Sequence, residues 1–193
     1  FALTGKELHQ AFDLTEEDRE LTLQSAREGI VLLKNEGNIL PLSEAGIHRI
    51  LVVGSQAATA RGYFGGYTHY SMTEGLLATI QTMAGVDHGD RQNEVTELIP
   101  GTGIQRSDHD PRFEALLQKQ KPGIRSFLEE LRERRRDVEI DDAFGYHFAG
   151  DDTSHFDEAM EKAKEADLVI MMLGGKNGTS MIASMGEGID AVN

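Results

Sequence analysis

Arg49-Ile50-Leu51-Val52-Val53-Gly54 is a short, continuous apolar run, rich in β-branched residues and stopped by a glycine. That pattern predicts a strand buried on both faces. A second run of the same kind, Leu168-Val169-Ile170-Met171-Met172-Leu173, ends in Gly174-Gly175 and predicts a second buried strand. Val138 to Ile140 alternates and predicts a strand leading into the loop Gly145-Tyr146-His147. Helical patterns lie between these strands. The alternation predicts an α/β fold, a three-layer α/β/α sandwich around a mostly parallel sheet. Ligands in such sheets bind outside the carboxyl ends of the strands, and both glycine-ended loops belong to that edge.

Near the N-terminus, Thr15 is a good N-cap, with Glu16, Glu17 and Asp18 in the first turn, where the helix dipole favours negative charge. Leu23, Ala26, Ile30 and Leu33 follow at helical spacing, which predicts a helix ending at Asn35–Gly37, with Lys34 and Asn35 capping that end. Ile39 to Leu42 reads as a short buried connector. Ser55 to Thr73 is rich in Gly, Ala, Thr and Tyr and reads as a loop, followed by a helix from Met72 to Met83. The segment from Asp87 to Asp110 reads mostly as loop. Arg112 to Leu117 and Ile124 to Arg136 read as helices, the latter ending in a solvated run of arginines. Asp157 to Ala166 reads as a helix with Phe156, Ala159, Met160 and Ala163 inward. Lys176 to Asn193 reads as a long loop.

The 193 residues are 39% hydrophobic and 27% charged, the composition of a folded globular chain. A formal net charge of −14 opposes binding to a phosphate backbone, so no nucleic-acid partner is expected. No apolar run reaches the length of a membrane span. The chain has no cysteine, which excludes disulfides, thiolate nucleophiles and cysteine-based zinc sites and leaves the compartment open. Its opening on Phe1 reads as a segment of something longer.

Several chemistries can be weighed on motifs. Gly54-Ser55-Gln56-Ala57-Ala58 lacks the later glycines of a dinucleotide turn. In Gly174-Gly175-Lys176-Asn177-Gly178-Thr179-Ser180 the lysine precedes the last glycine, the wrong order for a phosphate loop. The seven histidines show no metal-binding spacing, and Asp108-His109-Asp110 reads as a solvated cluster, so neither metal nor cofactor is expected. No serine-nucleophile elbow occurs, and Ser184 has no evident base. What remains is Ser184-Met185-Gly186-Glu187-Gly188-Ile189-Asp190, a carboxylate between two glycines in a loop after a strand. Such a loop can bring Glu187 close to a ligand, and desolvation there would raise its pKa, as a general acid needs.

The segment Ala26-Arg27-Glu28-Gly29-Ile30-Val31-Leu32-Leu33-Lys34-Asn35-Glu36-Gly37-Asn38-Ile39-Leu40-Pro41-Leu42 resembles the start of the second domain of family 3 glycoside hydrolases. Gly62-Tyr63-Phe64-Gly65-Gly66-Tyr67-Thr68, Ala163-Lys164-Glu165-Ala166-Asp167-Leu168-Val169-Ile170 and Gly186-Glu187-Gly188-Ile189-Asp190 continue the resemblance in the same order. It runs from about Leu23 to Asp190, while 87–137 aligns with nothing.

The resemblance implies a retaining, exo-acting β-glucosidase or β-xylosidase, taking a β-linked oligosaccharide or aryl glycoside. Glu187 would be the general acid/base, Tyr67 a substrate-binding aromatic at the leaving-group side, and Gly186, Gly188 and Asp190 the support of the acid loop. The nucleophile would be an aspartate of a preceding barrel domain absent from this chain. Ser107-Asp108 is superficially similar to its motif but falls in the wrong domain. On this basis 1–22 is a linker and 23–193 a partial sandwich, incomplete at the C-terminus, with an insertion at about 87–137. The chain alone should hydrolyse nothing, and a homo-oligomer is left open. The family pattern places Arg after GEGxD, where this chain has Ala191. The alternatives are a non-catalytic α/β module packing on a partner domain and a nucleotide- or phosphate-binding domain.

Overall fold

The structure, a computed structural model, describes residues 4–5, 16–43, 45–87, 97–108 and 110–186, with backbone alone for 81–87. It divides into two compact units, Phe1–Glu44 and Ala45–Asn193.

In the first unit, α1 spans Glu16–Glu28, with Glu16, Glu17 and Asp18 in its first turn; Thr15 lies outside the described residues. The helix stops two turns short of the expected end. Gly29 is costly inside a helix, and the β-branched pair Ile30-Val31 follows it. Ile30, Val31, Leu32 and Leu33 are exposed and non-helical. Asn35 therefore caps no helix: its Oδ1 accepts the Leu40 N–H at 2.9 Å and its Nδ2 donates to the Leu40 carbonyl at 2.7 Å, closing a loop over a single 3₁₀ turn. Lys34 pairs with Glu36 at 3.2 Å. Ile39 and Leu40 are exposed too, so the connector is not buried.

The second unit is built on a parallel sheet in the order β2-β1-β3, where β1 is Arg49–Val53, β2 Glu139–Ala143 and β3 Leu168–Met171. Ile50 pairs with Ile140 on one side and Leu168 on the other. In the central strand, Ile50 and Val52 face Leu128 of α4 (Phe127–Arg134), and Leu51 and Val53 face Ala159 and Ala163 of α5 (Phe156–Glu165). The second unit thus forms an α/β/α sandwich, and each fully buried apolar side chain of β1 contributes about 1.5–3 kcal/mol relative to exposure.

The edge strand differs from its reading. Val169 and Met171 of β3 are exposed, because α5 lies over β1 and β2. Phe156 and Met160 of α5 are exposed as well: the helix meets the sheet through its alanines. Asp167, just before β3, clamps the start of β1 by accepting the His48 and Arg49 N–H groups at 2.8 and 2.9 Å.

Beyond the carboxyl edge, α2 (His69–Asp87) and α3 (Pro111–Gln120) make a second, smaller core. α2 begins three residues earlier than expected because Thr68 caps it, its Oγ1 accepting the Ser71 N–H at 3.3 Å. Leu76 and Ile80 are exposed, and the buried face carries Tyr70, Glu74 and Ala78. At the end of α4 each arginine meets a nearby acid: Arg132 Asp142, Arg134 Glu130, Arg135 Asp137 and Arg136 Glu133. No helix among the described residues is long and apolar enough to cross a membrane.

Candidate active site

The loops after β1 and β3 meet at the carboxyl edge. Gly65–Thr68 from the first and Asn177–Thr179 from the second line an open cleft of about 520 Å³, with Tyr67 72% exposed at its rim. The loops are tied where the Gly66 N–H donates to Asn177 Oδ1 at 2.8 Å. A Cβ at residue 66 would sit 2.7 Å from that oxygen, so the tie requires glycine.

The loop after β3 is closed at its neck by Lys176. The Lys176 N–H donates to Ser184 Oγ at 2.9 Å, and its carbonyl accepts the Ser184 and Met185 N–H groups at 3.0 and 3.2 Å. Gly178 N–H donates to the Met185 carbonyl at 3.0 Å, and Asn177 bridges Met185 in parallel. Gly175 permits this neck, since a Cβ there would lie 2.5 Å from Ser184 Oγ. Ile182 then plugs the small core against Ala78 and Phe113. Ser184 is 1% exposed and serves as a structural hydroxyl.

Beneath the neck lies a buried charge cluster that the sequence reading missed. Glu74 Oε1 accepts from Arg61 Nε at 2.6 Å and from the Tyr70 hydroxyl at 3.0 Å. Lys176 Nζ pairs with Glu74 Oε2 at 2.7 Å. The Lys176 and Glu74 side chains are 6% and 2% exposed. Arg61 also donates to the Ser107 carbonyl and Oγ, at 2.6 and 3.0 Å, and stacks on Phe113 with its guanidinium carbon 4.7 Å from the ring centre. Ser107 is thus a structural acceptor. Asp108 Oδ2 lies 2.9 Å from Nδ1 of the buried His147, and Asp110 caps α3.

Two cations share one carboxylate, and the titration behaviour follows. Burial pushes the Glu74 pKa up, but Arg61 and Lys176 outweigh it and hold the carboxyl below its ordinary value. Burial lowers the Lys176 pKa, and the Arg61 charge adds to that against the pull of Glu74. A carboxylate with a depressed folded-state pKa adds stability that is present above its unfolded pKa and lost as pH falls through the folded one. The wild type is therefore expected to lose stability from about pH 5 downward more steeply than Glu74→Gln. Urea denaturation across the acid range measures this, and equal slopes would contradict it.

Between the loops after β1 and β2 lies a cavity of about 500 Å³, and α4 and α5, to which these strands lead, cover opposite faces of the sheet. This is the switch point where α/β folds often hold nucleotides. Here it is lined by Asp108, Asp110, Glu114, Glu129 and Asp142. The N-termini of α3 and α4 are already occupied by their own Asp110, Ser126 and Glu129 side chains. Both features oppose a phosphate.

Of the residues singled out from sequence, Tyr67 and Gly186 are described, Tyr67 on the cleft and Gly186 half-buried beside Met185. Glu187, Gly188 and Asp190 lie outside the described residues. Arg61, Glu74 and Lys176 carried one signal: Tyr70, Glu74 and Ala78 recur every four residues on one helix face, so the acid among them required buried cations.

A family model described as the glycosyl hydrolase family 3 C-terminal domain matches residues 30–193. A beta-glucosidase of Rhizobium radiobacter is 37% identical over 99 residues, 47% of this chain and 12% of that protein. The "Beta-xylosidase/alpha-L-arabinofuranosidase 1" of Medicago sativa subsp. varia is 40% identical over 73 residues, 35% of this chain and 9% of that protein. A "Probable beta-glucosidase I" of Aspergillus clavatus is 32% identical over 124 residues, covering 60% and 14%. The matched stretches thus amount to only about a tenth of these relatives' length.

Proposed function

Because this chain belongs to the glycosyl hydrolase family 3 C-terminal domain family, we propose that it is part of a retaining, exo-acting β-glycosidase that removes terminal β-linked glucose or xylose. In this reading 1–22 connects to a barrel domain carrying the aspartate nucleophile, and the present chain supplies the acid/base, Glu187. The observation that carries the reading is the shared cleft: Tyr67 and Asn177 line it together, and Asn177 pairs with Met185, two residues before Glu187.

The glycosidic oxygen of the scissile bond would take a proton from Glu187 as the nucleophile attacks the anomeric carbon. Glu187, now a carboxylate, would then take a proton from the water that releases the sugar. Retention requires the two carboxyl groups about 5–5.5 Å apart in the assembled enzyme. Tyr67 would offer its ring face to the departing group, which suits an aryl glycoside or a second sugar.

Azide tests the acid/base assignment, because it attacks a glycosyl-enzyme without needing a base. Glu187→Ala in the full-length enzyme, given an activated aryl glycoside and azide, should turn over faster than without azide and yield the β-glycosyl azide. Failure to form that product would sink the assignment.

A further inference from the structure

We infer that Lys176 is a positioning residue for the acid/base: its side chain, held in the buried cluster with Glu74 and Arg61, fixes the neck at Met185, two residues before Glu187 in the chain. This rests on the reading of Glu187 given above.

Three observations carry it. First, the loop after β3 is glycine-rich around the neck, at Gly174, Gly175, Gly178 and Gly186. Such a backbone has no stiffness of its own at these points, so a fixed point has to come from elsewhere. Second, Lys176 grips at both ends. Its ammonium lies against Glu74 at 2.7 Å, and its peptide N–H and C=O hold Ser184 and Met185. Any displacement of Lys176 is passed to Met185, next to Gly186 and Glu187 in the chain. Third, the anchor is ionic where an apolar plug would serve for stability alone, since buried ion pairs recover their desolvation cost only with good geometry. What it adds is a defined position: Glu74 is held by Arg61, Tyr70 and Lys176 together, and Arg61 is in turn held by Ser107 and Phe113.

The chemistry makes this testable. A general acid displaced by an ångström protonates a poor leaving group badly and matters little to a good one. In the full-length enzyme, kcat/KM is compared for an alkyl and a dinitrophenyl β-glycoside, for the wild type, Lys176→Met, Ser184→Ala and Glu187→Gln. Lys176→Met should lower the alkyl rate about 10- to 100-fold, with the dinitrophenyl rate changed only a few-fold. Ser184→Ala, which loosens the neck and leaves the ions in place, should do the same to a smaller degree and decides the matter if Lys176→Met does not fold. A selective loss for Glu187→Gln with uniform losses for the other two variants overturns this inference alone. No selective loss for Glu187→Gln overturns the acid assignment and this inference with it.

Discussion

Glu74→Ala is expected to destabilise the fold by about 3–5 kcal/mol, the usual result of removing one partner from a buried ion pair. The reason lies less in the bond lost than in what stays behind. Arg61 and Lys176 would face each other in a site where their side chains are both 6% exposed. The Tyr70 hydroxyl would lose its closest partner, keeping the Phe113 carbonyl at 3.4 Å. Replacing all three charged residues together, as Arg61→Met, Glu74→Leu and Lys176→Met, should cost less than Glu74→Ala alone, because no ion is then left unpaired. Denaturant unfolding of the two variants and the wild type gives the comparison, and a larger loss for the triple variant would refute the electrostatic account.

Glu187→Ala in the full-length enzyme should slow alkyl glycosides by about 10²- to 10⁴-fold, the span ordinarily supplied by a positioned proton donor. Dinitrophenyl glycosides need no proton on departure, so their kcat/KM should remain near that of the wild type. Their kcat should still fall, because release of the sugar now lacks a base, and KM should fall with it as the glycosyl-enzyme accumulates. The alkaline limb of the kcat/KM profile, which reports loss of the acid's proton, should vanish. A bell-shaped profile like that of the wild type in the Ala variant would place the acid at another residue.

How far these features can be read from the chain depends on which contacts define them. β1 is legible because it is covered on both faces, and uninterrupted apolar character is all such a position asks. β3 has the same apolar character but a different fate. It lies at the edge of the described sheet, and its exposure is set by the reach of α5, a fact of packing that strand-forming residues do not encode. For α1, Ile30 and Leu33 keep the helical spacing past Gly29, so periodicity alone carries the helix further than the backbone does. The meeting of the Tyr67 loop with the loop after β3 follows from the rule that parallel strands deliver their loops to one edge. Glu74 escaped because α2 offers a more obvious apolar stripe through Leu76 and Ile80. Its burial makes sense only once Arg61 and Lys176, distant along the chain, are known to converge on it.

The neck at Lys176 also bears on the order in which the protein comes together. Gly66 and Asn177, joined across the cleft, are 111 positions apart, and Met181 and Ile182 reach back to Gln105, Ala78 and Phe113. Contacts of such separation are slow to close, because the intervening chain must be ordered first. As the ribosome releases the chain from its N-terminus, Arg61 and Glu74 can pair long before Lys176 emerges. The cleft is thus closed only once Asn177 has emerged, 111 positions after Gly66, and just behind the lysine that secures the neck.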